Sequence, residues 1–355
     1  MCEFFFVSAP FHFTLPEELS AKEPPERRGL GRDKVRLLVI DRSNGAVQHA
    51  KFEQLGEFLR KGDLLVFNSS RTLPASLEAC CSAHGPCLQV RLAQHLPDDS
   101  WLALLVCKAG DPFGCGLRAG MQLEFSQELS GEVFDRDARI PRLWKIRFSK
   151  TGTELIDLIY RIGQPVRYEY VSAPWDLDYY QTVYAKEPGS AEMPSAGRAF
   201  TWKSLFELRR AGIDFAYLVL HTGLSSYLDD ELDRANPASE EEYFLSEAAA
   251  AKINAARVRG GRIIAVGTTV VRALESIAEA DGRVQPAHAY TRLHIAGGHE
   301  LKTVNGLLTG LHEPEASHLD LLSAFVPAET IRTAYQEAIQ QRYLWHEFGD
   351  LNLII

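Results

Sequence analysis

The sequence predicts an α/β fold, a large mixed α/β unit that carries an inserted small antiparallel β-barrel. Short apolar runs alternating with helical periodicity occupy both ends of the chain, and such runs build a sheet layered with helices. Between them, from about Leu77 to Phe148, apolar and polar residues alternate in short stretches broken by glycine and proline. That is the pattern of a small antiparallel barrel or sandwich. A third observation is length, since 355 residues suffice for two domains or one large domain with an insertion. The expected boundaries are 1–74 and 166–355 for a discontinuous α/β unit, with 75–165 as the inserted barrel.

The elements follow in order. Arg36 to Asp41 (RLLVID) is a strand that ends at the turn Ser43-Asn44-Gly45, and a second strand follows. A helix with apolar face Phe52, Leu55, Phe58 and Leu59 is broken by Gly62-Asp63, after which Leu64 to Phe67 reads as a buried strand. In the barrel region Leu88, Val90 and Leu92 alternate with polar partners, as do Met121, Leu123 and Phe125, and Trp144, Ile146 and Phe148. Helical spacing returns at Leu155, Leu158, Ile159 and Ile162. The α/β pattern then resumes. A helix from Trp202 to Ala211 leads to a strand from Phe215 to Leu220, and an alanine-rich helix from Ser246 to Arg259 stops at Gly260-Gly261. A strand from Arg262 to Val266 and helices over Thr268–Ala280 and Ala328–Tyr343 complete the chain, with a final apolar stretch.

Composition sets limits on function. Hydrophobic residues make up 46% and charged residues 24%, the profile of an ordinary globular protein. A formal net charge of −9 and a pI near 5.7 argue against non-specific nucleic-acid binding, yet leave room for one local basic patch. No apolar run reaches the roughly 18 residues of a membrane span, and Met1 to Pro10 lacks the basic start and cleavage site of a signal peptide. The six cysteines (Cys2, Cys80, Cys81, Cys87, Cys107, Cys115) form no CxxC pair, so they read as free, reduced thiols of a cytoplasmic protein.

Three strand ends carry candidate chemistry. The strand IIAV runs through Gly267 into the helix TTVVRALES, where a tight glycine turn and free N–H groups suit a carboxylate or phosphate. There Thr268 or Thr269 can cap the helix while holding a ligand. Arg272 and Glu275 are three apart and share a helix face, which also fits an ordinary surface ion pair. A second strand, LLVF, opens onto Asn68, Ser69, Ser70 and Arg71, and a third delivers His221 and Gly223. Five histidines gather later, His288, His294, His299, His312 and His318; their spacing matches no HExxH-type motif, so a metal site is expected to be absent.

Taken together, these strings resemble the S-adenosylmethionine:tRNA ribosyltransferase-isomerase (QueA) family of queuosine biosynthesis. The resemblance rests on GDLLVFN-x-x-R-x-x-P-A (Gly62 to Ala75), YQTVYA (Tyr180 to Ala185) and P-S-A-G-x-x-F-T (Pro194 to Thr201). It continues through L-H-x-G (Leu220 to Gly223), Ser246-Glu247, GGRIIAVGTTVVRALES (Gly260 to Ser276), His312 to Phe325, Tyr343 and Phe348-Gly349-Asp350. It covers nearly the whole chain in order. It implies transfer and isomerisation of the ribosyl group of S-adenosylmethionine (AdoMet) onto 7-aminomethyl-7-deazaguanine in tRNA, giving epoxyqueuosine and releasing adenine and methionine. AdoMet is then a ribosyl-donor substrate, and neither cofactor nor metal is required. The residues implied for binding are Asn68, Arg71, Gly197, Thr201, Gly267, Thr268, Thr269 and Arg272, with His221, Glu247 and His312 for proton transfer.

Several positions depart from the family pattern. Ser69 stands for an aspartate, Ala199 and Leu245 each replace a histidine, Asp320 replaces a methionine and His318 a leucine. Arg167 to Val171 (RYEYV) replaces a P-P-Y-I run, and Gly297-Gly298-His299 an aromatic segment. These departures open two alternatives: a small-molecule deazapurine acceptor in place of tRNA, or a metal-dependent hydrolase built on the added histidines.

Overall fold

In the computed structural model, residues 13–81, 87–107, 116–168, 170–171, 173–229, 232–233, 240–314 and 317–355 are described. The apolar runs at the two ends of the chain form one sheet. Its first members are β1 (Arg36–Ile40), β2 (Val47–Lys51) and, after the single-turn helix α1 (Leu55–Phe58), β3 (Leu64–Asn68). A short β4 (Ser70–Thr72) leads into the barrel strands β5 (Ser76–Cys80), β6 (Cys87–His95), β7 (Trp101–Cys107), β8 (Met121–Glu124), β9 (Ser130–Arg136) and β10 (Leu143–Phe148). Helix α2 (Gly152–Ile162) brings the chain back, β11 (Glu187–Ser190) pairs with β4, and α3 (Trp202–Arg210) precedes β12 (Asp214–Leu220). Then follow β13 (Glu241–Leu245), α4 (Glu247–Val258), β14 (Ile263–Val266), α5 (Thr268–Ser276), β15 (Ala287–Thr291) and β16 (Gly306–Gly310). The chain closes with α6 (Ser317–Leu322), α7 (Ala328–Gln340) and β17 (Leu351–Ile354).

The nine-stranded sheet has the order β15-β13-β12-β3-β14-β16-β17-β1-β2. Strands β12, β3, β14 and β16 are parallel neighbours, while β13 and β15 add an antiparallel edge. The final apolar stretch is β17, which lies antiparallel to β16 and parallel to β1. Central strands of such a sheet are covered on both faces, hence the unbroken apolar runs. Leu64 and Val66 of β3 face a cluster with Ile253 of α4, Val270 and Leu274 of α5, and Ile331 and Tyr335 of α7. Leu65 and Phe67 face the opposite way, onto Phe200 and Leu205 and Leu208 of α3.

The middle of the chain closes into a six-stranded barrel, β10-β7-β6-β5-β8-β9, with antiparallel pairing throughout. The alternating residues named from the sequence fill its interior, Leu88, Val90, Leu92, Leu123 and Ile146 all being fully buried. Leu155, Leu158 and Ile159 of α2 pack onto the same cluster. The mixed α/β fold with an inserted small barrel is therefore as expected.

Two details differ from expectation. Helix α5 stops at Ser276 instead of reaching Ala280, because the chain turns into a bridge between Ala278 and Val284. The thiols are not uniformly buried and free. Cys107 is disulfide-bonded, while Cys80 and Cys87 face each other across β5 and β6 with sulfurs 2.7 Å apart. Cys2 and Cys115 lie outside the described residues. No helix among the described residues is long and apolar enough to cross a membrane.

Candidate active site

Four adjacent parallel strands end at one edge of the sheet, and the residues after them carry most of the candidate chemistry. Asn68 closes β3, His221 follows β12, Gly267 follows β14, and Leu311-His312 follow β16. Ligands of open α/β sheets bind outside this carboxyl edge. His221 and His312 follow strands three positions apart, about 14 Å at ordinary strand spacing. They flank the edge and do not share a proton.

His221 is held by a chain of hydroxyls. Its Nδ1 lies 2.8 Å from Ser70 Oγ, which lies 2.6 Å from Ser190 Oγ. Burial lowers its pKa, so the imidazole is neutral at pH 7 and can accept a proton. It borders a shallow cleft between the sheet edge and the barrel, opposite Asp137 and Arg139.

His312 is more deeply placed. Its Nε2 lies 2.8 Å from Thr309 Oγ1, and its ring stacks on His318 with centroids 4.5 Å apart and planes 5° from parallel. Burial, aided by neighbouring imidazoles, pushes His312 well below its ordinary pKa, and burial brings His318 to about 4. Both rings are neutral at pH 7, which lets them stack without charge repulsion.

Between the two histidines lies the Gly267 turn. Gly267 has φ +99°, a conformation that favours glycine, and α5 begins directly after it at the buried Thr268. The 3-10 turn Ser195–Gly197 stands alongside, with Ala196 Cβ at 3.6 Å from where a Gly267 side chain would begin. The first turn of α5 therefore starts beside the PSAG segment, where a helix N-terminus favours negative charge.

Asn68 is fully engaged. Its Oδ1 accepts from the Leu220 and Ser70 amides, both at 3.0 Å. Its Nδ2 donates to Leu220 O at 2.8 Å and to Thr269 Oγ1 at 3.4 Å. All four hydrogen-bonding positions of the amide are used, so Asn68 ties β3, β12 and α5 together and leaves none for a ligand.

Other expected binding residues serve the frame. Thr201 caps α3 by accepting from Ser204 N at 3.1 Å. Gly197 is buried beneath Tyr184. Arg272 donates to Leu293 O at 3.0 Å and pairs with Glu241, not with Glu275. Glu275 is buried and accepts from the amides of Lys302, Thr303 and Val304 at 2.8, 3.0 and 3.0 Å. Arg71 is exposed and lies 5.8 Å from the Tyr160 ring of α2. Glu247 is an exposed first-turn carboxylate of α4 beside the cap Ser246, a placement that suits the helix dipole and does not join it to either histidine.

Another cluster escaped the sequence reading. Tyr168 donates to Glu192 at 2.6 Å, and Ser225 N donates to the same carboxylate at 2.9 Å. The rings of Tyr168, Tyr170 and His346 stack in a row, with centroids 5.4 and 4.1 Å apart. His346 Nδ1 lies 2.8 Å from Glu313, whose pKa that contact lowers. Burial raises Glu192, and raises Glu347 to about 8. Tyr168 and Tyr170 sit in the divergent RYEYV run, a local signal. Nothing in the spacing joins residues 168, 192 and 347, which only the fold brings together.

The sequence model of the family described as "Queuosine biosynthesis protein" matches residues 8–354. The chain belongs to this family. It is 35% identical over 349 residues to the S-adenosylmethionine:tRNA ribosyltransferase-isomerase of Caldanaerobacter subterraneus subsp. tengcongensis, covering 97% of this chain and 98% of that protein. It is 38% identical over 349 residues to the protein of the same name from Carboxydothermus hydrogenoformans, with the same coverage. The crystal structure of S-adenosylmethionine tRNA ribosyltransferase from Thermotoga maritima superposes with a TM-score of 0.54 at 29% identity, covering 98% of this chain and all of that one.

Within this queuosine-family fold the added histidines do not build a metal centre. His294 Nε2 lies 3.3 Å from Asp320, while His299 Nε2 is buried with no hydrogen-bond partner among the described residues. Among the described residues no group of three or more His, Cys, Asp or Glu side chains is placed to hold a metal ion. The hydrolase alternative thus finds no centre there.

Proposed function

We propose that this chain moves and isomerises the ribosyl group of AdoMet onto 7-aminomethyl-7-deazaguanine in tRNA, releasing adenine and methionine. The observation that carries the reading is family membership over essentially the full length, together with relatives whose names state this activity. Those names specify tRNA, and no observation favours a free deazapurine acceptor. The reading requires AdoMet as a substrate and no resident cofactor, and it places the protein in the cytoplasm with its tRNA. It also treats 75–165 as the inserted barrel domain and 1–74 with 166–355 as the catalytic one.

The geometry supplies a workable division of labour. AdoMet lies at the Gly267 turn, with Thr268 and Thr269 beneath its polar groups. Asn68, Gly197, Thr201 and Arg272 hold the walls, and Arg71 meets the acceptor from the barrel side. The sulfonium of AdoMet acidifies the adjacent ribose C5′ hydrogens, so a modest neutral base suffices to remove one. His221 and His312 are both neutral imidazoles at pH 7 on that edge.

The test is incubation with AdoMet, with and without tRNA carrying 7-aminomethyl-7-deazaguanine, while adenine and methionine are followed. Release that depends on this tRNA is the expected result. Release without it would point to another acceptor, and no release in either case would overturn the reading.

A further inference from the structure

We propose that Glu347 is the base that takes a proton from the primary ammonium of the acceptor's aminomethyl group. This rests on the reaction proposed above, in which that nitrogen forms a bond to carbon and needs its lone pair.

Glu347 borders a second cleft at the carboxyl edge, with Ser195, Arg198, Gly310 and His346. Its Oε1 is buried and has no hydrogen-bond partner among the described residues, and the Tyr180 hydroxyl is buried and unpartnered likewise. A buried polar atom without a partner is costly, so a donor brought by a ligand is the natural complement. Two cations line this wall, Arg198 and Arg32, and both are engaged. Arg198 donates to Tyr179 O at 2.8 Å and pairs with Glu26 at 2.9 Å, and Arg32 pairs with the same carboxylate at 3.2 Å.

Several titratable groups surround Glu347, among them Arg32 on the same cleft wall and Arg28, which donates to Phe348 O at 2.9 Å. Glu192 adds a second negative charge from the segment after β11, and Tyr168, which donates to Glu192, stacks on Tyr170. His346, its neighbour in sequence, is occupied by Glu313 and by Ser20 Oγ at 3.1 Å. Burial and the Glu192 charge raise the Glu347 carboxyl to about 8, against a smaller opposing effect of Arg198. An arriving ammonium favours the ionised carboxyl, the form that can accept a proton, and a carboxyl raised this far holds that proton more tightly than an ordinary one. The proton moves from R–CH2–NH3+ to the carboxylate, leaving R–CH2–NH2 and a neutral carboxylic acid. The freed lone pair then forms the new C–N bond to the ribosyl unit, whose bonds to the adenine nitrogen and to the methionine sulfur are the ones broken as adenine and methionine leave. AdoMet brings a primary ammonium too, on its methionyl end, but that nitrogen forms no new bond.

The experiment compares the native protein with Glu347→Gln and Glu347→Asp. Adenine release with 7-aminomethyl-7-deazaguanine tRNA is followed from about pH 6 to about pH 10, and AdoMet binding is measured by calorimetry without tRNA. Glu347→Gln is expected to lower kcat/KM about 10²- to 10⁴-fold at neutral pH and to lose the native acid limb. AdoMet affinity should stay unchanged, and Glu347→Asp should keep an acid limb, displaced from the native one. If the glutamine variant does not fold, the aspartate variant decides: a lowered kcat/KM with a displaced acid limb supports the proposal, and native kcat/KM with a native limb overturns it. A native pH profile in Glu347→Gln overturns the proposal, as does weakened AdoMet binding with the profile intact, which would assign the carboxyl to AdoMet. Native protein that releases no adenine sinks the reaction and this proposal together; an active native protein with a normal variant sinks this proposal alone.

Discussion

Replacing Asn68 by alanine separates a framework role from direct ligand binding. The change leaves the Leu220 and Ser70 amides and the Leu220 carbonyl without their side-chain partner. Leu220 is fully buried and Ser70 is 1% exposed, so water does not take over freely. At about 1 kcal/mol for each orphaned group, the loss is about 3 kcal/mol. An unfolding entropy near 2.1 cal/mol/K per residue gives about 0.75 kcal/mol/K for this chain, so the melting midpoint should fall by about 4 °C. Asn68→Asp should be no milder, because it sets a carboxylate oxygen against Leu220 O, now 2.8 Å from the amide nitrogen. Thermal melting followed by near-UV circular dichroism reads the first effect, and calorimetry on the folded variant reads AdoMet binding. The framework role predicts AdoMet affinity within about threefold of native, or 0.6 kcal/mol. A midpoint unchanged to within about 1 °C, with affinity down tenfold or more, would refute the reasoning and return Asn68 to the ligand.

Two further outcomes follow from particular contacts. A Cβ at Gly197 would stand 1.8 Å from the Tyr184 hydroxyl oxygen, so Gly197→Ala should cost about 1–3 kcal/mol in urea unfolding. Adding Tyr184→Phe should recover part of it, and strictly additive effects in the double-mutant cycle would count against the clash. Glu347 has a folded-state pKa near 8 against an ordinary 4.5, so the native fold holds a proton that the unfolded chain releases. Its contribution is complete below about pH 4.5 and is lost as pH rises through about 8. Glutamine does not titrate, so the melting temperature of Glu347→Gln relative to native should climb between about pH 5.5 and pH 9; a constant offset would contradict the assignment.

The sheet and barrel were legible because both rest on periodicity. Leu88, Val90 and Leu92 alternate as barrel strands do, and LLVF and IIAV are unbroken because β3 and β14 are covered on both faces. The position of β17 was not legible, since four apolar residues at the end of a chain do not say which strands they will join. The places of His221, Gly267 and His312 just after strands were readable in the same way. Roles were less readable than places. Asn68 and Arg272 have the chemistry of ligand contacts, but neighbouring backbone groups far off in sequence use up that chemistry. The Tyr168–Tyr170–His346 stack and the carboxyls Glu192 and Glu347 come from three separated segments, so no spacing rule gathers them.

The departures from the family pattern fall into two physical kinds. Ala199 and Leu245, where the resemblance expects histidine, are 5% and 1% exposed inside apolar clusters, so neither place now hosts a group that can exchange a proton. His318 and Asp320 do the reverse, adding titratable groups beside the His312 end of the edge. His318 lies face to face with His312, and Asp320 lies 3.3 Å from His294. Substitutions at positions in contact are not independent in their energies: a ring stacked at 4.5 Å on His312 alters the burial and the charge that fix the pKa of His312. The Gly267 turn, by contrast, keeps its glycine, its two threonines and its adjoining PSAG wall. Change is therefore spread along the edge, at Ser69 beside Asn68, at Ala199 next to the PSAG wall and at His318 and Asp320 beside His312, while the glycine and two threonines of the Gly267 turn keep the family pattern.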